Sequence, residues 1–131
     1  AMTVSLEAAK ALHAAGYKGT FPGMTWVKYR DGDWELGYVF HTFPDGVVPA
    51  PDALTALGWL EREKGWYYER TTRRRHSDEG GGQYISWVAL KGLRPWSITG
   101  ENSEVVDWAD ADTPDELIIK VCERLKAEVG P

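Results

Sequence analysis

The residues best suited to bind a charged partner are arginines in the second half of the chain. A guanidinium group stays positively charged at physiological pH and binds the oxygens of phosphates and carboxylates. A basic, flexible hairpin tip is one way in which proteins contact phosphate backbones. The candidate partner or nucleic-acid contact site therefore consists of Arg70, Arg73, Arg74, Arg75 and His76.

The residues that follow this cluster leave a second interpretation open. Three consecutive glycines at 80–82 predict a mobile loop, because glycine loses more conformational entropy on ordering than any other residue. Asp78 and Glu79 offset part of the arginine charge. The alternative is a solvated loop without a partner. Two observations favour it: charge runs are usually solvated, and the chain is acidic overall with a net charge of −5.

Three aspartates near the C-terminus invite a calcium interpretation. They are Asp107, Asp110 and Asp112. An EF-hand loop needs Gly at its sixth position and Glu at its twelfth. Counted from Asp110, those positions hold Asp115 and Val121, so the motif fails. The start of a helix explains these acids better.

No other pattern predicts catalysis or a cofactor. The sequence has no phosphate-loop, dinucleotide-binding, nucleophile-elbow or zinc-protease motif. His13, His41 and His76 lack the spacing of metal ligands. Cys122 lies on the apolar stripe of a predicted helix, so we interpret it as a small buried hydrophobic residue. We therefore expect no metal, no cofactor and no enzymatic activity.

An Asp-Gly pair at 31–32 predicts a hairpin between strands at 24–30 and 33–42. Asp-Gly is favoured in the two-residue type I′ turn, because both of its central positions take positive φ. Such a turn fixes the register and places Tyr29 opposite Trp34. The same register puts on the core side Val27 with Leu36 and Thr25 with Tyr38.

The other side of this hairpin is predicted to face solvent. It pairs Lys28 with Glu35 and Arg30 with Asp33, and opposite charges across strands indicate a solvated face. An acidic active site at Asp31, Asp33 and Glu35 is the alternative, although turn chemistry already accounts for these residues.

Caps and apolar stripes predict three helices. The first runs from about Thr3 or Ser5, either of which can cap it, to Ala15, and the second spans 54–64 between Asp52 and Gly65. The third begins after Thr113 and runs to about Glu128. The apolar stripes expected to face the core are Leu54, Leu57 and Leu60 in the second helix and Leu117, Ile118, Val121, Cys122 and Leu125 in the third. Aromatic-rich strands are predicted at 66–72, 84–90, 96–99 and 103–108.

Length and composition favour one α+β domain over 3–129, with three helices packed on an antiparallel sheet of hairpins. An N-terminal helix and hairpin occupy 3–43. The single cysteine fits a reducing cytoplasm, and no apolar run approaches the roughly 20 residues of a membrane span.

Two stretches carry a resemblance to a known family. Residues 57–66, Leu-Gly-Trp-Leu-Glu-Arg-Glu-Lys-Gly-Trp, place a helix stop before an aromatic strand. Residues 107–114, Asp-Trp-Ala-Asp-Ala-Asp-Thr-Pro, lead into the last helix. On these motifs, residues 52–128 resemble the phage ABA sandwich domain family. The resemblance implies a helix, an antiparallel sheet and a returning helix, and a phage or prophage origin. It implies no catalytic residue.

Three classes of function remain. The first is a non-catalytic protein-interaction module, a phage-related accessory protein with a protein partner or with self-association. The second is a nucleic-acid contact protein that uses the arginines of 70–83. The third is an enzyme, which would need converging acids with shifted pKa values in a pocket.

Overall fold

The computed structural model describes residues 2–19, 23–39, 47–92 and 105–129. Within them, the helices and strands in chain order are α1 (Leu6–Ala14), β1 (Gly23–Lys28), β2 (Trp34–Val39), β3 (Val47–Pro49), α2 (Ala53–Lys64), β4 (Trp66–Arg74), β5 (Gln83–Gly92), β6 (Val105–Ala111) and α3 (Pro114–Val129). This confirms the predicted α+β class. The predicted strand at 96–99 lies outside the described residues, as does the start of the strand predicted at 103–108.

The strands form two antiparallel sheets where the sequence predicted one. The first sheet has the order β2-β1-β3 and the second has the order β4-β5-β6. Helix α1 packs against β3 and α3, whereas α2 and α3 pack against the second sheet. The helices therefore lie between the two sheets, and both sheets share one core.

The predicted helix starts are confirmed. The Ser5 hydroxyl accepts a hydrogen bond from the Ala8 amide at 3.2 Å, and an Asp52 carboxylate oxygen accepts one from Leu54 at 2.8 Å. The Thr113 hydroxyl accepts from the Glu116 amide at 3.2 Å. Each bond satisfies an amide that has no partner within its own helix. Helix α2 ends, as expected, at a left-handed Gly65 with φ of 73°.

The register of the first hairpin differs from the prediction by one residue. Lys28 lies opposite Trp34 and Trp26 opposite Leu36. The Tyr29 amide donates to the Asp33 carbonyl at 2.8 Å, which leaves a three-residue loop at 30–32. Only Gly32 in this loop has positive φ, at 92°. This is a type I turn followed by a left-handed glycine, the next commonest hairpin loop after the two-residue turn.

The one-residue shift exchanges the faces of half of the hairpin, because side chains alternate along a strand. Trp26 joins Trp34 on the side that packs against the core. Its indole N–H donates to the Val4 carbonyl at 3.1 Å. Thr25 is turned to the other side, where it is fully buried and its hydroxyl donates to the Gly37 carbonyl.

The centre of the core lies between the helices and the second sheet. Trp66 at the start of β4 is 1% exposed and is the largest fully buried side chain among the described residues. The inward stripe of α3 agrees with the prediction, with Leu117, Ile118, Val121 and Cys122 buried. In α2 the prediction was wrong at Leu54, which is exposed, because Ala53 and Ala56 face the core instead. None of the helices described here is long and apolar enough to cross a membrane.

Candidate functional site: an arginine-bearing ribbon

The second hairpin extends beyond the rest of its sheet. Strand β6 pairs with β5 only as far as Trp87, which lies opposite Ala111. Beyond that point β4 and β5 continue for four more residue pairs, from Thr71–Ser86 to Arg74–Gln83. We call residues 71–86 the ribbon. Among the described residues no third strand pairs with either edge of the ribbon.

The tip of the ribbon is a hydrogen-bonded turn. The Arg75 amide donates to the Gly82 carbonyl at 2.9 Å, and the Gly81 amide donates to the His76 carbonyl at 3.1 Å. The three glycines of 80–82 have φ values of 95°, 66° and 87°. The sequence predicted that these glycines make the loop mobile. In the structure they supply the left-handed backbone of a compact turn, for which glycine has no steric cost.

The five predicted site residues do not form one cluster. Arg73 and Arg74 belong to strand β4 and not to the loop, so their side chains point to opposite faces. Arg70 and Arg74 lie on the same face as the buried Trp66, which is the face that the helices cover nearer the core. Arg73 lies on the outer face. His76 is exposed beside the 3-10 turn at Ser77–Glu79.

Two of the four arginines already have partners on the protein. Arg73 forms an ion pair with Asp110 of β6, with 3.7 Å between Nη1 and Oδ2. Both side chains are about 40% exposed, so solvent screens this pair and it adds little stability. The guanidinium of Arg75 lies 5.3 Å from the centre of the Tyr84 ring, in cation–π geometry. These two guanidinium groups are therefore less available to an external partner.

The other two arginines are available to a partner. Arg70 and Arg74 are exposed, and neither forms an ion pair or a ring contact in the part of the chain that the structure describes. Trp87 lies directly opposite Arg70, and Ile85, which is 42% exposed, lies between the two arginines on the neighbouring strand. This face of the ribbon therefore combines two unpaired cations with apolar and aromatic surface.

The free edge of β4 is the second open feature. The Arg75–Gly82 hydrogen bond fixes the alternation of the antiparallel pair, so odd-numbered residues of β4 bond to β5. The amides and carbonyls of Tyr68, Arg70, Thr72 and Arg74 point away from β5. Among the described residues no backbone group bonds to them. Sequence reasoning missed this edge, although charged residues such as Arg70 and Arg74 are a device that protects exposed edges.

Two of the three aspartates considered for calcium have other partners. Asp107 accepts a hydrogen bond from the Trp108 amide at 2.9 Å and lies 3.9 Å from the Arg124 side chain. Asp110 pairs with Arg73, and its carbonyl accepts from Lys120 at 2.7 Å. No group of acidic, histidine or cysteine side chains that could hold a metal ion exists among the described residues.

The single thiol is poorly placed for chemistry. Burial raises the pKa of Cys122 from its usual 9.0 to about 12, and the nearby Lys64 opposes this only in part. A thiol with so high a pKa is protonated at neutral pH, whereas the thiolate is the nucleophile. The structure thus places Cys122 in the core, as the sequence predicted.

A third surface consists of exposed apolar side chains on the first sheet. Met24, Leu36 and Tyr38 lie on one face of the first sheet, and their exposed fractions are 36%, 41% and 51%. The sequence prediction had put Leu36 and Tyr38 in the core. They share a face with the core residues Trp26 and Trp34, but lie where the helices do not cover the sheet.

Comparison with known proteins gives no match. No family model fits the sequence, and no curated protein or solved structure is significantly similar to it. Residues Ala53–Val129 do contain a helix, a three-stranded antiparallel sheet and a second helix. That order of elements does not decide family membership, so the resemblance to the phage ABA sandwich domain stays a prediction.

Proposed function

We propose that this protein is a non-catalytic protein-interaction module that binds an extended segment of its partner along the free edge of β4. The observation that carries the proposal is the row of outward-pointing backbone groups from Tyr68 to Arg74, which have no partner in the described chain. An added strand satisfies such groups and gains affinity from backbone hydrogen bonds.

The side chains along the edge add selectivity to this backbone contact. Arg70 and Arg74 lie on one face of β4, roughly 13 Å apart at the usual rise of a strand. Glu69 is exposed on the opposite face. A partner strand that places acidic or aromatic side chains beside Arg70 or Arg74 would fit, because opposite charges across neighbouring strands are stabilising and an arginine can lie against an aromatic ring.

The proposal also includes a phage or prophage origin and a cytoplasmic location. A phage or prophage accessory protein, as the sequence resemblance implies, acts through binding partners and needs no active site. A cytoplasmic location agrees with a single, buried cysteine.

A proline at the free edge tests the proposal. The Thr72 amide points away from β5, so Thr72→Pro removes an edge donor without removing a hydrogen bond of the sheet. We expect partner proteins captured from the source cell by the wild type to be lost with Thr72→Pro and retained with Thr72→Ala. Unfolding curves of the two variants show whether the fold is intact. Equal capture by both variants would contradict edge binding.

Nucleic-acid binding is the second candidate, and the unpaired Arg70 and Arg74 favour it. Arginines on a protruding two-stranded ribbon are able to contact phosphates, and such contacts weaken steeply with salt. The acidic total charge and the aspartates at the base of the ribbon oppose it.

Fluorescence anisotropy with labelled DNA and RNA separates the two candidates. If nucleic acid is the partner, Arg70→Ala/Arg74→Ala should abolish salt-sensitive binding. Arg73→Ala should retain most of it, because Arg73 is already paired with Asp110. Absence of binding at low salt would eliminate this candidate and leave the protein-interaction proposal intact.

A further inference from the structure

We infer that the strand received by the β4 edge is β4 of a second copy of this chain, paired antiparallel about a two-fold axis at Thr71. The inference rests on the proposed function, because it names the partner of the same edge. It would join the second sheets of two chains into one six-stranded sheet with the order β6-β5-β4-β4-β5-β6.

Symmetry limits how two copies of β4 can pair. In an antiparallel pair with two-fold symmetry, the axis passes beside one residue, which then lies opposite itself. Three such arrangements pair at least seven of the nine residues of β4, namely those centred on Glu69, Arg70 and Thr71. The first places two Glu69 carboxylates side by side. The second does the same with two Arg70 guanidiniums, and like charges directly opposite are destabilising.

The arrangement centred on Thr71 is the one of the three without a like-charge pair. It places Glu69 opposite Arg73 of the second copy on the outer face, and the symmetry gives this pair twice. On the other face it places Tyr68 opposite Arg74 of the second copy, where an arginine can lie against an aromatic ring. The charge pattern of β4 is therefore complementary to itself in one register.

The backbone agrees with this register. Tyr68, Arg70, Thr72 and Arg74 carry the free amides and carbonyls of the edge, as the alternation set by Arg75 and Gly82 requires. Centring on Thr71 places Tyr68 opposite Arg74 and Arg70 opposite Thr72, so residues with free groups face one another. The two Thr71 residues then form a pair without backbone hydrogen bonds, with Cα atoms about 4.5 Å apart.

Charge reversal tests the register. Glu69→Arg alone places arginine opposite Arg73, and Arg73→Glu alone places glutamate opposite Glu69, so each variant should lose the dimer. Mixed in equal amounts, the two variants regain both opposite-charge pairs. We expect light scattering after gel filtration to give twice the chain mass of 14.7 kDa for the wild type and for the mixture. Each variant alone should give the chain mass.

Cross-linking checks the same register independently. Thr71→Cys should form a disulfide-linked dimer under oxidising conditions, because its Cα separation lies within the range of disulfides. Thr72→Cys is the matched control. In this register Thr72 lies opposite Arg70 of the second copy, so the Cα atoms of the two Thr72 residues are roughly 9 Å apart, beyond disulfide reach. Cys122 does not compete, because it is buried. Faster cross-linking of Thr72→Cys than of Thr71→Cys would overturn the register.

The outcomes separate this inference from the proposed function. A wild type that stays at the chain mass at high concentration, yet captures proteins that Thr72→Pro loses, overturns the second copy as partner and keeps edge binding. A dimer that survives both Thr72→Pro and the charge reversals forms elsewhere, and it too overturns the inference. A chain that neither dimerises nor captures partners through Thr72 contradicts both.

Discussion

The two hairpins of this protein close with similar glycine turns but differ in how the rest of the protein covers them. Each joins two antiparallel strands through a turn that needs left-handed glycine, Gly32 in the β1–β2 hairpin and the glycines of 80–82 in the β4–β5 hairpin. The first hairpin is paired by β3 on one side and leaves apolar side chains exposed. The second begins at the fully buried Trp66 and ends in an exposed, arginine-bearing ribbon.

The comparison shows that the two ends of β4 have different roles, because only its first residues lie in the core. The first residues of β4 are held by the helices, so this end of the strand contributes to stability. Its last residues extend beyond β6, so they are free to bind. The first hairpin has no such division, because Trp26 and Trp34, which pack against the core, lie beside the exposed Leu36 on one face. Substitutions should therefore affect the two hairpins unequally.

The largest expected effect is the loss of the buried indole at the base of β4. Trp66→Ala should lower the free energy of unfolding by about 3–5 kcal/mol, because it removes a large, fully buried side chain and leaves a cavity. Trp34→Ala in the first hairpin should cost about 1–2 kcal/mol, since Trp34 is only half buried. Urea unfolding of both variants measures the difference, and equal losses would contradict the proposed division.

The turn glycines should rank next. Replacing all three residues of 80–82 by alanine should cost about 3 kcal/mol or more, because each position takes a left-handed backbone that costs about 1–2 kcal/mol for other residues. Gly32→Ala should cost about 1–2 kcal/mol for the same reason. Gly37→Ala is the control, since Gly37 lacks positive φ and a Cβ there meets no atom within 4 Å. Unchanged stability of the triple variant would show that the turn is not held in this form.

Removing the hydrogen bonds that join α1 to α3 should lower the stability by a smaller amount. The Ser5 amide and hydroxyl both donate to the Asp115 carboxylate at 2.7 Å, which joins the start of α1 to the start of α3. Ser5→Ala should cost about 1–2 kcal/mol, because it removes a cap as well as one of these bonds. A double-mutant cycle with Asp115→Asn should give a coupling energy of about 1 kcal/mol. Additive effects would mean that the two side chains do not interact.

The ionisation of Cys122 should have the smallest effect on stability at neutral pH. Burial raises the pKa of Cys122 from 9.0 to about 12. Between these two pH values the folded chain keeps the thiol protonated, whereas the unfolded chain ionises it. The stability from this thiol is therefore complete below about pH 9 and is lost as the pH rises towards about 12.

Two measurements check this expectation. A thiol reagent at pH 8 should label Cys122 only after denaturant is added. Relative to Cys122→Ala, the wild type should lose stability between pH 9 and pH 12. Rapid labelling of the folded protein would show that the thiol is accessible.

Much of the fold could be predicted because its signals are local. The hydroxyl and carboxylate caps at Ser5, Asp52 and Thr113 act on amides two or three residues away, so the sequence is sufficient to locate them. The alternating faces of β4 and β5 follow from the geometry of a strand. The arginines of the candidate site do not form the single cluster that the sequence suggested, because a strand beginning at Trp66 and running through Arg74 separates neighbouring arginines onto opposite faces.

What the sequence by itself determined are the helix limits, the apolar stripe of α3, the α+β class and the place of the arginines. These depend on neighbours within about one turn of chain. Only the tertiary structure decided the register of the first hairpin, where two glycine-containing turns compete and the packing of Trp26 and Trp34 against the core fits the three-residue loop. It alone decided that the strands form two sheets and that Arg73 is paired with Asp110. Within the described residues, it also leaves Arg70 without an ion pair and one edge of β4 without a strand partner. Each of these depends on residues far apart in sequence, whose contacts no local pattern encodes.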